Sequence, residues 1–520
     1  MPKNRIKSIY NAELFWLAGL LVLLGVRLVV LATSPLSLGG DEAQYWQWST
    51  TPDWGYFSKP PLIAWLIAAS NWVLGDSVFA VRAALPVLHG LAAGFLWLTA
   101  RLLWPEQRRV AWLAASIYLL MPGVFLSSFI MSTDALLLPL GALALLAFFK
   151  VLAVDRTWPW MLVLGLALGA GLLAKYAMVF LVFGFLLLVL LDRQVRGKFV
   201  SPVGVLAVLV PMAMLVPNFI WNRAHGFATV SHTVANIDLD GTTQIAGLWP
   251  RVSMLFELWS GQLGVFGPVT FVLLLGALFV AGTGQRRTSS FRLMILCLVP
   301  LLIISVQALA SRAHSNWAVL AYIPGVLLLA SFAVAGWKQN LLLAGLALHL
   351  VAGCVFLAGV SFPERLAATP AGKWLMPLSG WDKTASAILQ VAETQSEFAA
   401  LVTDTRLFHY ALAWQIRNQP HPNLRMWPVY GPQPHSQREL MQPLVPQDPA
   451  RILLVLTRDA FTSRVLDDFA KKQFLQTIRI DLGGGRYREF SLYAASGFFP
   501  VARTPAYYAN WRNLENPPKP

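Results

Sequence analysis

Residues 12–48 read AELFWLAGLLVLLGVRLVVLATSPLSLGGDEAQYWQW. The first part is an apolar run of about twenty residues, the length that crosses a bilayer as a helix. It follows Lys3, Arg5 and Lys7, as a signal-peptide hydrophobic region would. The run is too long for a cleaved leader and has no A-x-A site before Ser34, so it reads as an uncleaved anchor. After it come two glycines, two adjacent carboxylates (Asp41, Glu42) and the aromatic cluster Tyr45, Trp46, Trp48. A spanning helix that delivers acids and indoles to the membrane surface sets the frame for the rest of the chain.

Composition agrees. The 520 residues are 57% hydrophobic and 12% charged, with a mean hydropathy of +0.58. A soluble domain carries about 25% charged residues, so an ordinary cytosolic enzyme, a disordered chain and a disulfide scaffold are excluded. Cys297 and Cys354 both sit in apolar runs and define neither a redox compartment nor a metal cluster.

About eleven stretches qualify as spans by length and apolarity. They are 12–32, 79–103, 110–129, 135–152, 158–174, 176–191, 199–220, 266–281, 291–310, 317–335 and 341–360, with 248–264 ambiguous between interfacial and re-entrant. With the N-terminus inside, fifteen Lys and Arg fall on inner loops and seven on outer segments up to Val360. This positive-inside bias fixes the orientation. It also accounts for most of the net charge of +15 without a nucleic-acid partner. An odd span number places residues 361–520 outside.

That tail has 18 basic and 13 acidic residues in 160, and only short apolar runs. Strands are predicted over 398–403, 451–456, 475–480 and 486–493, and helices over 407–417 and 461–472. A Pro-rich connector covers 421–449, and Gly483-Gly484-Gly485 reads as a turn between strands. The expected fold is mainly α: a polytopic membrane domain over 1–360 and a small α/β domain over 361–520, without internal repeats.

The unusual polar residues collect on the outer side. The first outer loop holds Asp41, Glu42, Asp53, Tyr56 and Lys59, and the third span ends near Asp134. Lys175 lies between the fifth and sixth spans. Later outer loops hold Arg223, His225 and His232, then His314 and Asn316. Ionisable groups near lipid mark function by default. Carboxylates, an outward lysine and aromatic faces suit a sugar donor carried on a lipid, because no nucleotide-sugar pool exists outside the membrane.

These residues carry a resemblance. Gly-Asp-Glu-Ala-x-Tyr-Trp-x-Trp at 40–48, followed by Trp-Gly-Tyr-x-x-x-Pro-Pro-Leu at 54–62, resembles the first outer loop of the C-type glycosyltransferases. Within that superfamily it is similar to the lipid A aminoarabinose transferases, the protein O-mannosyltransferases and the lipopolysaccharide-core galacturonosyltransferases. Ser132-Thr133-Asp134, Lys175-Tyr176 and Asn316-Trp317 add to the match. The resemblance implies an inverting transfer from a polyprenyl-phosphate sugar to an envelope glycolipid or glycan at a periplasmic site of the inner membrane. It makes Asp41 catalytic, Lys59 a contact of the lipid phosphate and Asp134 a second outer carboxylate. Ser58 stands where the aminoarabinose enzyme has a metal-binding glutamate, so no metal cofactor is expected.

Each assignment has a plainer rival. Asp41 and Glu42 also suit the positive end of a helix, and of the two Asp41 is the better catalytic candidate, with Glu42 orienting or binding sugar. Asp134 reads equally as the N-cap of the fourth span. Lys59 and Lys175 read also as snorkelling lysines, and the tryptophans as an interfacial belt. His225 and His232 alone are too few for a metal site. The catalytic candidates are thus Asp41, Glu42 and Asp134. Those for substrate contact are Lys59, Tyr56, Lys175, Arg223, His314 and Asn316. The rival class is a lipid or sugar transporter, which would place its site at midplane on broken, repeated helices.

Overall fold

Among the described residues of the computed structural model, seven helices are long and apolar enough to cross a membrane. They are Trp16–Thr33, Val78–Leu103, Thr133–Ala153, Leu206–Ala224, Ser289–Ala310, Ser315–Phe332 and Gly336–Ser361. The number rises to nine if two sharply bent pairs each make one span, Tyr176–Leu191 with Arg193–Phe199 (111°) and Leu248–Val265 with Pro268–Thr283 (112°). Leu62–Leu74 and Trp158–Ala174 are shorter apolar helices. The structure describes residues 3–237, 247–284, 288–311, 313–395, 398–428, 437, 444–445, 451–457, 464–502 and 504, without the side chains of 3–12, 15, 236 and 237. The protein is a multi-pass membrane protein.

Several predicted spans are subdivided, for identifiable reasons. The stretch 110–129 splits into helices Arg108–Leu120 and Pro122–Ser127. Proline pushes its predecessor out of the helical region, and Met121 has ψ 129°. The ambiguous 248–264 stretch is a regular helix that turns at Gly267, whose φ of +95° favours glycine. Helix Leu62–Leu74 was not anticipated, because thirteen residues are too few for a full span.

The chain divides into two compact units, Met1–Thr33 with Pro52–Ala358, and Ser34–Thr51 with Gly359–Pro520. The first is the helical membrane unit. Its core runs through Leu96, Tyr118, Phe148, Leu274, Cys297 and Leu327, all nearly or fully buried. Asp192 and Arg292 form an ion pair of 2.8 Å in it, buried on both sides.

Among the described residues, the second unit is built on a five-stranded sheet ordered β2-β1-β3-β5-β4. The strands are β1 Ala400–Thr403, β2 Asn423–Met426, β3 Ile452–Leu456, β4 Phe469–Gly483 and β5 Arg486–Phe498. β1 is parallel to both β2 and β3, and β5 is antiparallel to β3 and β4. β1 and β3 are buried along their whole length, as central parallel strands covered on both faces must be. Alternation sends Leu401, Leu453 and Val455 to the face covered by helices Trp381–Thr394 and Arg406–Ile416. Ala400, Val402 and Leu454 pack the other face with Trp427 and Phe498.

Two predicted details of this unit are corrected. The helix expected over 461–472 stops short: the backbone is helical at 464–467, and strand β4 begins at Phe469 opposite Phe498. Residues 461–463 lie outside the described residues. The long β4–β5 pairing overrides the local helix pattern. The connector expected over 421–449 contains strand β2, while 429–436, 438–443 and 446–449 lie outside the described residues.

Candidate active site

The acidic pair opens helix Gly40–Ser49 of the second unit. The Glu42 carboxylate turns back and accepts the Gly39 N–H at 2.9 Å. This is half of a capping box, and it leaves Glu42 1% exposed. Asp41, one residue earlier, points away, and its side chain is 57% exposed. Its Oδ1 accepts from Arg406 Nη1 at 2.8 Å, and the same nitrogen donates to Gln44 Oε1. Arg406 is the first residue of helix Arg406–Ile416. Gly40 is obligatory in this arrangement, because a Cβ there would lie 2.6 Å from the Leu407 carbonyl oxygen. The rest of helix Gly40–Ser49 is anchored by its indoles, with Trp46 edge-on to Trp414 at 4.8 Å. The stretch therefore packs as a strap of the α/β unit, a membership its local sequence does not reveal.

Sequence reading missed Arg406, although a signal was present. A cation in the first turn of a helix opposes the macrodipole, so an arginine at that position implies a nearby acid.

In the membrane unit, Asp134 occupies the first turn of helix Thr133–Ala153. It accepts from Lys175 Nζ at 2.6 Å and from Asn316 Nδ2 at 3.0 Å. Three predicted site residues from distant stretches thus converge as one polar knot. Both charged side chains are largely sheltered, at 12% and 18% exposure. Asp134 does not cap its helix through its own side chain, since Ser132 is the N-cap.

The loop 52–61 is stapled to the same unit. The Asp53 carboxylate accepts from Trp221 Nε1 at 2.7 Å, and the Trp54 carbonyl accepts from Asn218 Nδ2 at 2.7 Å. The Tyr56 hydroxyl accepts the Asp53 N–H at 2.9 Å, and its carbonyl accepts from Thr229. Burial pushes the Tyr56 phenol up to about 12, so it stays protonated. Gly55 lies flat on the Trp221 ring, where a Cβ would collide. Lys59, half-buried, follows in this rigid turn, with its carbonyl accepting from the Tyr56 N–H. Arg223 and His314 are exposed, and His314 lies edge-on to Trp317 at 5.2 Å. His225 stacks on Trp221 at 4.1 Å, its Nδ1 bonded to the Trp221 carbonyl. Among the described residues no three His, Cys, Asp or Glu side chains converge.

A 470 Å³ cavity lies in this unit. Leu62, Trp65, Phe95, Leu136, Leu140 and Leu143 line it, on helices Leu62–Leu74, Ala84–Leu103 and Thr133–Ala153. All its lining residues are apolar. A larger cavity of 580 Å³ runs along the first span from Glu13 to Arg27, and no predicted site residue lines it.

The family described as dolichyl-phosphate-mannose-protein mannosyltransferase matches residues 58–221. A lipid A galacturonosyltransferase of Rhizobium johnstonii is 34% identical over 452 residues, covering 86% of this chain and 92% of that protein. An undecaprenyl phosphate-alpha-4-amino-4-deoxy-L-arabinose arabinosyl transferase of Pectobacterium carotovorum is 28% identical over 272 residues, covering 48% of this chain and 45% of that one. The crystal structure of ArnT from Cupriavidus metallidurans bound to undecaprenyl phosphate superposes with a TM-score of 0.61 at 16% identity, over 93% of this chain and 98% of that one. The chain belongs to the C-type membrane glycosyltransferases, in the family of the lipid A galacturonosyltransferase and the aminoarabinose transferases.

Proposed function

We propose that this chain transfers a sugar from a polyprenyl-phosphate donor to lipid A or a closely related envelope glycolipid, with its active site and residues 361–520 on the periplasmic side. The relatives named above support the reaction class. The fifteen-to-seven division of basic residues supports the orientation.

One observation carries the choice of catalytic group: the differing exposure of the three candidate carboxylates. Glu42 is consumed in capping its helix, and Asp134 is held by Lys175 and Asn316. Asp41 alone among the three presents an open carboxylate. Asp41 then acts as general base. It takes the proton of the acceptor hydroxyl as the acceptor oxygen bonds the anomeric carbon from the face opposite the phosphate. The bond between that carbon and the phosphate oxygen breaks, and the polyprenyl phosphate leaves with the electron pair. Lys59 neutralises the charge that develops on the leaving phosphate. For an acceptor phosphate no deprotonation is needed, and Asp41 orients the nucleophile. Glu42 and the Asp134–Lys175–Asn316 knot are assigned to positioning.

Mass spectrometry of envelope lipids from cells with and without the gene tests this reading. Loss of one sugar mass from lipid A or the core, with the unmodified glycolipid accumulating, is the expected result. Unchanged glycolipids together with an altered distribution of the donor lipid between leaflets would favour a transporter.

A further inference from the structure

Asp41 and Arg406 meet where two helices of the second unit bring their N-termini together. Helix Gly40–Ser49 and helix Arg406–Ile416 are ten and eleven residues long, and Gly40 lies against the Leu407 backbone. Two N-termini in contact concentrate positive potential and orphan N–H groups at one point. Neither N-cap residue, Gly39 or Thr405, satisfies its helix through a side-chain hydrogen bond. A guanidinium is added to this already positive place. Its ion pair with Asp41 is open to solvent, with side chains 36% and 57% exposed. Exposed pairs contribute little to stability, so folding alone is a poor reason for the arginine.

The way Arg406 is held indicates what else it does. A single nitrogen, Nη1, donates to both Asp41 and Gln44. Among the described residues Nε and Nη2 donate to nothing. Those two N–H groups form the planar edge that grips a carboxylate or phosphate through parallel hydrogen bonds. Gln44 fixes the direction of this edge. It is fully buried, and its Oε1 must face the guanidinium, since the flipped amide would set donor against donor. Its Nε2 is left as a buried donor without an acceptor, on the same carboxamide that holds Nη1.

We propose that Arg406 is a specificity residue: its free Nε–Nη2 edge binds an oxyanion of the substrate pair next to Asp41, either the carboxylate of a transferred uronic sugar or a phosphate of the acceptor glycolipid. The inference rests on the reading of Asp41 as the general base. Nη1 keeps Asp41 aimed, while the opposite edge reads the charge that distinguishes an acidic substrate from a neutral one.

The test uses the purified full-length chain in detergent, with Arg406→Lys and Arg406→Gln. Donors are polyprenyl phosphates carrying a uronic acid or the matching neutral hexose, and acceptors are phosphorylated or dephosphorylated lipid A. Lysine keeps a cation beside Asp41 but lacks the planar fork. Arg406→Lys is expected to raise the apparent KM about tenfold or more for the substrate that bears the oxyanion, with kcat within about threefold, since tenfold corresponds to the loss of one well-made contact. KM for the other substrate stays at the parent value, and the effect vanishes when the anion is removed. A rise confined to the uronic donor assigns the carboxylate, and one confined to the phosphorylated acceptor assigns the phosphate. Unchanged KM for both overturns the proposal, including the case in which kcat alone falls, which would make Arg406 only a holder of Asp41. Failure of both variants to fold overturns it as well, because it would make the pair structural. If Asp41→Asn transfers sugar at the parent rate, the reading of Asp41 fails instead.

Discussion

Lys175→Met should destabilise the membrane unit far more than loss of a surface lysine does. Lys175 Nζ sits 2.6 Å from Asp134 Oδ1, with both side chains under one-fifth exposed. Methionine fills the same volume but leaves the Asp134 carboxylate with only the Asn316 amide at 3.0 Å. Stripping one partner from a buried pair costs about 3–5 kcal/mol. Residual exposure and the surviving Asn316 bond favour the lower end, about 3 kcal/mol. At about 2 °C per kcal/mol for a long chain, the unfolding midpoint should fall by about 6 °C. Asp134→Asn alone leaves an unpaired ammonium and should lose a similar amount. The double variant Asp134→Asn/Lys175→Met removes both charges and should cost about 1 kcal/mol, the net value of an ordinary hydrogen bond. Thermal unfolding of all four proteins in one detergent measures the cycle. A midpoint within 2 °C of the parent for Lys175→Met, or strictly additive losses, would refute the claim that this knot pins helix Thr133–Ala153 to its neighbours.

Other perturbations separate the remaining roles. Lys59→Ala should raise the apparent donor KM about tenfold while the acceptor KM holds, as loss of one charge-assisted contact to phosphate predicts; initial-rate kinetics over both substrates check it. Gly40→Val places a branched side chain against the Leu407 backbone and should cost about 1–3 kcal/mol by overpacking, with a fall in kcat as Asp41 is displaced; unfolding and turnover measured on one preparation test this. A reporter active only in the periplasm, fused after Pro520, should be active, and activity of a cytoplasmic reporter there would reverse the orientation.

The membrane part was legible because apolar length is a strong signal, and the long helices such as Thr133–Ala153 and Ser289–Ala310 lie where hydropathy puts them. Subdivision was harder to read. The break at Met121 rests on one proline inside an otherwise continuous apolar run, and helix Leu62–Leu74 is too short to stand out. In the tail, β1 and β3 announce themselves as short apolar runs. β2 was hidden in a Pro-rich stretch, because its four residues gain their strand character only by pairing with β1. The candidate carboxylates were visible as residues, but their division of labour was not. Whether an acid caps a helix, as Glu42 does, or is held by a lysine 41 positions away, as Asp134 is, depends on three-dimensional neighbours. Arg406 is the clearest case, since its partner lies 365 residues earlier in the chain.

Sugar transfer by the purified full-length chain in detergent, from a polyprenyl-phosphate sugar to lipid A, measures the central claim most directly. Detergent abolishes the sealed compartments that transport requires but leaves transfer intact. The account predicts product of one added sugar mass from the parent chain, and a rate about 10²–10⁴-fold lower for folded Asp41→Asn, as removal of a positioned base implies. Asp41→Asn transferring within a few-fold of the parent rate, or no product from the parent with any polyprenyl-phosphate sugar, would contradict it.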